Sequence, residues 1–169
     1  TAAEGGAHPM EAAAYRALNE TVIASGCADL LDVELFSGED TVAALLDSDA
    51  EIWAFDAKPL YRLALEQGHI GKALHFDGKL AAYLLNPSAS SYAVKSLAAE
   101  YGVAAAFHCE AAPDAGVLAA LLERLAAELD ASGQRKLHDE MELPLARVLA
   151  DMERIGFAVD ADGIRAFGD

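Results

Sequence analysis

The residues able to do chemistry in this 169-residue chain are mostly carboxylates. Asp32-Val33-Glu34 sets two of them either side of one valine, Asp56 stands four positions before Leu60, and Glu110 stands four before Asp114. Carboxylates brought together can hold hard divalent cations, and a pair of such ions can activate a water and stabilise a leaving oxygen. His108-Cys109-Glu110 puts an imidazole, a thiol and a carboxylate side by side. A thiol nucleophile also needs a base and an orienting group held in place, and the neighbouring sequence offers no such partners. The histidines at 8, 69, 75, 108 and 138 show no HxxxH spacing and read as surface or hydrogen-bonded core residues. Cys27 and Cys109 form no CxxC and lie 82 positions apart, which predicts neither a zinc knuckle nor a disulfide framework and fits a reduced, cytoplasmic setting. Ser25-Gly26-Cys27 makes neither a P-loop nor a GxGxxG.

These residues have to be positioned by about one domain's worth of chain. With 54% hydrophobic and 24% charged residues the sequence can bury a core, although much of the apolar fraction is alanine, which sits equally well on a helix surface. Twelve Lys+Arg against 28 Asp+Glu give a net charge of -16, which argues against unaided tight binding to nucleic acid. Residues 58–95 depart from that balance: Lys58, Arg62, Lys72, Lys79 and Lys95 face only Glu66 and Asp77, so a DNA-facing surface, if there is one, lies here. The bland alternative is solvated lysines. No apolar run is long enough for a membrane span, and Thr1 to Met10 is not a secretory signal. A start at Thr-Ala-Ala-Glu and an end in mid-element read as a piece of something longer.

Periodicity places the elements. Glu11 to Asn19 reads as a helix, Thr21 to Ala24 as a β-branched strand, and Leu31 to Phe36 as its alternating partner. Ser37 opens a helix to about Asp47, Glu51 to Phe55 is a third strand with Trp53 in the core, and Lys58 to Gln67 is a helix stopped at Gly68. Lys72 to Phe76 is a fourth strand leading to Asp77, whose carboxylate caps a helix from Gly78 to Leu85 that Asn86-Pro87 ends. Serines 90 and 91 open a helix through Tyr101, Val103 to Phe107 is a short extended piece, and Pro113 to Asp130 is an amphipathic helix. A stripe of Leu137, Met141, Leu145, Val148, Met152 and Ile155 describes a long helix that Pro144 must kink or restart. Gly156 ends it, and Asp160 caps a last helix.

Two stretches then point to a family. Phe76-Asp77-Gly78-Lys79-Leu80 through Asn86-Pro87, followed by Ser96-Leu97-Ala98, resembles the 3'-5' exonuclease domain of bacterial DNA polymerase I. Glu142-Leu143-Pro144-Leu145-Ala146, Met152-Glu153, Gly156-Phe157 and Val159-Asp160 resemble the junction from that domain to the polymerase domain. The resemblance implies a ribonuclease H-like mixed β-sheet flanked by helices at residues 1–130, with 131–169 a linker and the first helices leading into a polymerase thumb. It also implies a site in which four carboxylates and a tyrosine hold two divalent ions, Mg or Mn.

Matched to that pattern, the chain is depleted. The Asp-x-Glu place reads His8-Pro9-Met10-Glu11; Asp32-Val33-Glu34 lies too close to Phe55 to be that motif and reads as strand. The Asn-x-x-x-Asp place reads Asp56-Ala57-Lys58-Pro59-Leu60, so Leu60 replaces the metal-binding Asp while Asp56 caps the helix and Lys58 brings positive charge. The Tyr-x-x-x-Asp place runs from Glu110 to Asp114, where Pro113 and Asp114 also suit a first helical turn. Glu11, Asp56, Glu110 and Asp114 are therefore vestigial candidates, and the expectation is an inactive domain that binds no metal or other cofactor and supports DNA synthesis in replication and repair. Its partners would be its own polymerase domain in cis and, through that, DNA; it would be monomeric, cytoplasmic and nucleoid-associated. One rival is an active proofreading nuclease built from Glu11, Glu34, Asp56 and Asp114. Another is a domain that docks a partner protein.

Overall fold

A computed structural model describes residues 10–26, 39–108, 110 and 112–168. In chain order the elements are α1 (Ala12–Ser25), α2 (Glu39–Leu45), β1 (Ile52–Ala54), α3 (Ala57–Glu66), β2 (Leu74–Asp77), α4 (Gly78–Leu85), α5 (Val94–Glu100), α6 (Ala115–Ser132), α7 (Arg135–Leu137), a π-helical turn (His138–Glu142), α8 (Leu143–Ile155) and α9 (Ala161–Gly168).

Thr21 to Ala24 is not a strand. It completes α1, where the Thr21 hydroxyl donates to the Ala17 carbonyl at 2.7 Å and Gly26 ends the helix at φ 62°. The alanines at 13, 14 and 17 carry helix propensity into the β-branched run, a case of flanking sequence overriding local preference. The proposed partner strand Leu31 to Phe36, the cap at Ser37, and residues Cys27, Asp32 and Glu34 lie outside the described residues.

Among the described residues the sheet has two parallel strands, β1 and β2. Val103 to Phe107 is irregular and not a strand. Ile52 pairs with Leu74, but Trp53 pairs with Phe76, so His75 is an extra residue that bulges from β2. The bulge has a packing consequence. Without it Leu74 and Phe76, two residues apart, would point the same way; with it, Leu74 joins Ile52 and Ala54 on one face of the sheet while Phe76 joins Trp53 on the other.

Each face has its own core. Phe76 packs with Ala81 and Ala82 of α4, Val94 and Leu97 of α5, and Leu121, Leu125 and Leu129 of α6. Leu74 and Ala54 pack with Ala57, Tyr61 and Ala64 of α3 and with Leu143, Ala146 and Ala150 of α8. The result is a helix-rich α/β arrangement with helices on both sides of a small sheet. Gly78 opens α4 at its contact with α6, where a Cβ would run into Leu122. Gly116 lies against the Phe107 carbonyl, too close for any side chain.

The stripe from Leu137 to Ile155 describes the helix correctly but not its buried face. Leu137, Met141, Leu145, Val148, Met152 and Ile155 are all exposed, and α8 packs on α3 through Leu143, Ala146 and Ala150 instead. Two small alanines opposite Ala57 and Ala64 let the helices approach closely, which the larger residues could not. Pro144 lies in the first turn of α8. It cannot donate to the carbonyl four residues back, and its ring crowds that carbonyl; residue 140 sits in the π-helical turn, which relieves the conflict.

Candidate functional site

The geometry centres on Asp77, the last residue of β2, which is 2% exposed. Its carboxylate accepts from Lys79 N at 2.8 Å and Leu80 N at 3.3 Å, capping α4 as the sequence indicates. The same carboxylate also accepts from Asp56 N at 3.0 Å and Ala57 N at 2.7 Å, at the start of α3. One side chain thus serves the positive ends of two helices, which keeps a buried charge satisfied.

Asp56, expected to cap α3, does not. It occupies the N-cap position at φ 68° with no side-chain capping bond: the position that an N-cap side chain would reach three residues on is Pro59, which has no N–H, while the N–H groups of Asp56 and Ala57 go to Asp77. The Asp56 carboxylate instead pairs with Lys79 Nζ at 2.6 Å. At the next motif position, Leu60 is half-buried and packs against the core shared by α3 and α8. Lys58 pairs with Glu153 of α8 at 2.8 Å, a hydrogen bond that raises its pKa.

Glu110 and Asp114 are both exposed, and Asp114 precedes α6 without a side-chain cap. Glu11 is exposed at the N-cap of α1, again without a capping bond. No group of three or more His, Cys, Asp or Glu side chains suited to a metal ion forms among the described residues. The donor set beside α3 does not fit two hard cations: it offers an apolar Leu60, a carboxylate already paired to Lys79, and the ammonium of Lys58.

Of the other basic residues, Arg62 pairs with Glu66 at 3.0 Å and Lys72 with Asp49 at 2.9 Å, while Lys95 stands exposed on α5. Local acids therefore offset much of the positive charge between residues 58 and 95. Trp53 lies against Phe76, with ring centroids 4.8 Å apart, and bonds Glu51 through its indole N–H.

His138 emerges from the structure alone. It is fully buried in the π-helical turn, with its ring 4.8 Å from that of Phe76 and Nε2 3.3 Å from Asp77 N. Nδ1 is 2.7 Å from Asp139 Oδ1. Burial alone would raise the Asp139 carboxyl, but hydrogen bonds from His138 and Arg135 outweigh it and hold the group below its ordinary range. Nothing in the spacing marks His138, because its partner is 61 residues away. Of the other histidines, His69 faces Asp47 at 3.3 Å, His75 is the bulge residue and His108 is exposed. His8 and Cys109 lie outside the described residues.

Residues 30–111 match the family described as DNA polymerase I, ribonuclease H-like domain. Over 137 residues the chain is 34% identical to DNA polymerase I of Bacillus subtilis, covering 69% of this chain and 16% of that protein. It is 39% identical over 115 residues to the thermostable DNA polymerase I of Thermus aquaticus, covering 65% of this chain and 13% of that protein. A 48-residue stretch is 46% identical to 3-dehydroquinate dehydratase of Bacillus licheniformis, 28% of this chain and 19% of that protein. The chain thus spans less than a fifth of the length of these relatives. No solved structure gives a significant match. No helix among the described residues is long and apolar enough to cross a membrane.

Proposed function

Because residues 30–111 belong to the ribonuclease H-like domain family of DNA polymerase I, we infer that this chain is an exonuclease-like domain that has kept its fold without two-metal chemistry and acts as a structural support for DNA synthesis in replication and repair. The observation that carries this reading is Leu60. At the position where the family resemblance calls for a metal-binding Asp, a half-buried apolar side chain packs against the core that joins α3 to α8. Around it, Asp56 is engaged by Lys79 and Lys58 by Glu153. A hard cation placed there would displace one ammonium and meet another.

On this reading residues 1–130 form the exonuclease-like domain, and 131–169 are the linker and first helices of a polymerase domain in the same polypeptide. The division is one of origin, since α8 shares a core with α3. DNA contact belongs to the polymerising part, because Lys58, Arg62, Lys72 and Lys79 already hold carboxylates. The setting is the bacterial cytoplasm, at the nucleoid.

The test is incubation with 5'-labelled single-stranded DNA and magnesium, and separately manganese, beside a proofreading-competent polymerase fragment. The expected result is no shortening while the control degrades the DNA. Metal-dependent stepwise loss of 3' nucleotides, abolished by Asp114→Ala, would overturn it.

A further inference from the structure

Among the described residues His138 is the one fully buried histidine, and both of its ring nitrogens have partners. Nδ1 lies 2.7 Å from Asp139 Oδ1; an ionised carboxylate only accepts, so Nδ1 carries a proton. Nε2 stands between two backbone groups of a single residue, the Asp77 N–H at 3.3 Å and the Asp77 carbonyl oxygen at 3.2 Å. A bare Nε2 accepts from that N–H, and a protonated Nε2 donates to that carbonyl. Asp77 thus offers the ring a partner in either charge state, so neither state leaves a buried nitrogen unsatisfied.

The charges around the ring are arranged for an added proton. Asp139, in the π-helical turn itself, meets the ring through Oδ1 and accepts from Arg135 Nε through Oδ2 at 2.8 Å. Arg135 of α7 lies 5.3 Å from the centroid of the Phe76 ring, on which His138 also stacks, and reaches Asp130 of α6 at 4.0 Å. On α4, Lys79 is turned to Asp56, and the Asp77 carboxylate is engaged by four backbone N–H groups. Of the other acids in the turn, Glu140 pairs with Lys136 at 3.7 Å and Glu142 is half-buried; α8 begins with the uncharged Leu143 and Pro144. With a neutral ring, Arg135 alone stands against Asp139 and Asp130. With a charged ring, two cations stand against those two carboxylates, and burial penalises an unpaired charge far more than a paired one.

We propose that His138 is a proton switch built into the fold: uptake of a solvent proton at Nε2 turns its bond to Asp77 from accepting the backbone N–H to donating to the backbone carbonyl, with the chain still folded. Because the Asp77 carboxylate fastens the starts of α3 and α4, the switch ties that junction to pH. It stands whether or not the domain cuts DNA.

A pH titration of the isotope-labelled 169-residue chain by NMR tests this, reading the imidazole nitrogens of His138 and the backbone amide of Asp77 together. The expected result is a single midpoint shared by Nε2 protonation and a shift of the Asp77 amide, with the resonance dispersion of the folded chain kept. His138→Phe retains a ring against Phe76 and removes the Asp77 response. Asp139→Asn, at a side chain 39% exposed, leaves the fold in place and moves the shared midpoint to lower pH by at least about one unit, because the carboxylate that holds the charged ring is gone. A ring that keeps one protonation state until the chain unfolds, an Asp77 amide that stays still while the ring titrates, an Asp77 response that survives His138→Phe, or a midpoint unmoved by Asp139→Asn would each overturn the proposal.

Discussion

Asp77 and Ala57 are 20 residues apart in sequence, yet the Asp77 carboxylate accepts the Ala57 backbone N–H at 2.7 Å. That bond, with the one from Asp56 N, fastens the start of α3 to the end of β2, while the other two fasten α4. Asp77→Ala removes both caps and leaves buried N–H groups without an acceptor. The expected loss is about 2–4 kcal/mol, two caps of roughly 1 kcal/mol each plus desolvated donors. Urea unfolding measures it, and a loss below about 0.5 kcal/mol would show that the four bonds contribute little net stability.

Leu60→Asp puts back the carboxylate that the family pattern calls for. It also sets a charge against the α3–α8 core, with Lys58 nearby. The expected outcome is destabilisation of about 1–3 kcal/mol and no metal-dependent shortening of DNA. Nuclease activity in this variant would mean that one substitution, and not a rebuilt surrounding, separates the chain from catalysis.

Asp47 fixes the turn before β2 by accepting from Ile70 N at 3.3 Å, Lys72 N at 3.1 Å and His69. Burial works to raise its carboxyl, but these bonds together hold it below 3.8. A carboxyl depressed in the folded state contributes stability that is present above its unfolded value and is lost as pH falls through the folded one. Asp47→Asn therefore flattens the decline of stability below about pH 4, as read from urea midpoints across pH 2 to 6.

Tyr61 is buried beneath α8, and burial pushes its hydroxyl up to about 12. The folded value lies above the unfolded 10, so this contribution is complete below pH 10 and is lost as pH rises toward 12. Burial raises Tyr101 as well, so absorbance at 295 nm is expected to show a late-ionising tyrosine component that Tyr61→Phe reduces without abolishing; an unchanged titration curve would contradict the burial of Tyr61.

Gly116→Ala drives a methyl into the Phe107 carbonyl. Backbone cannot step aside as a side chain can, so the expected cost is about 1–3 kcal/mol in thermal or urea unfolding, with the connection between α5 and α6 disturbed.

What the sequence determined by itself is local. Gly68 and Gly156 with left-handed φ, Asp77 ahead of α4 and Asp160 ahead of α9 are residues whose own chemistry ends or starts a helix, and each acts as its type and position imply. The Leu at position 60 was equally legible, as an apolar residue where the resemblance calls for an Asp. What only the tertiary structure decided depends on partners distant in the chain. Thr21 to Ala24 joined a helix because its neighbours propagate one. The first backbone N–H groups of α3 are held by a carboxylate that arrives from β2, and His138 found its partner 61 residues away. The stripe from Met141 to Ile155 fixed the period of α8 but not its inner face, because periodicity reports that a face is apolar and not which surface meets it. Here the smaller face, Ala146 and Ala150, fitted α3, and the larger one was left outward.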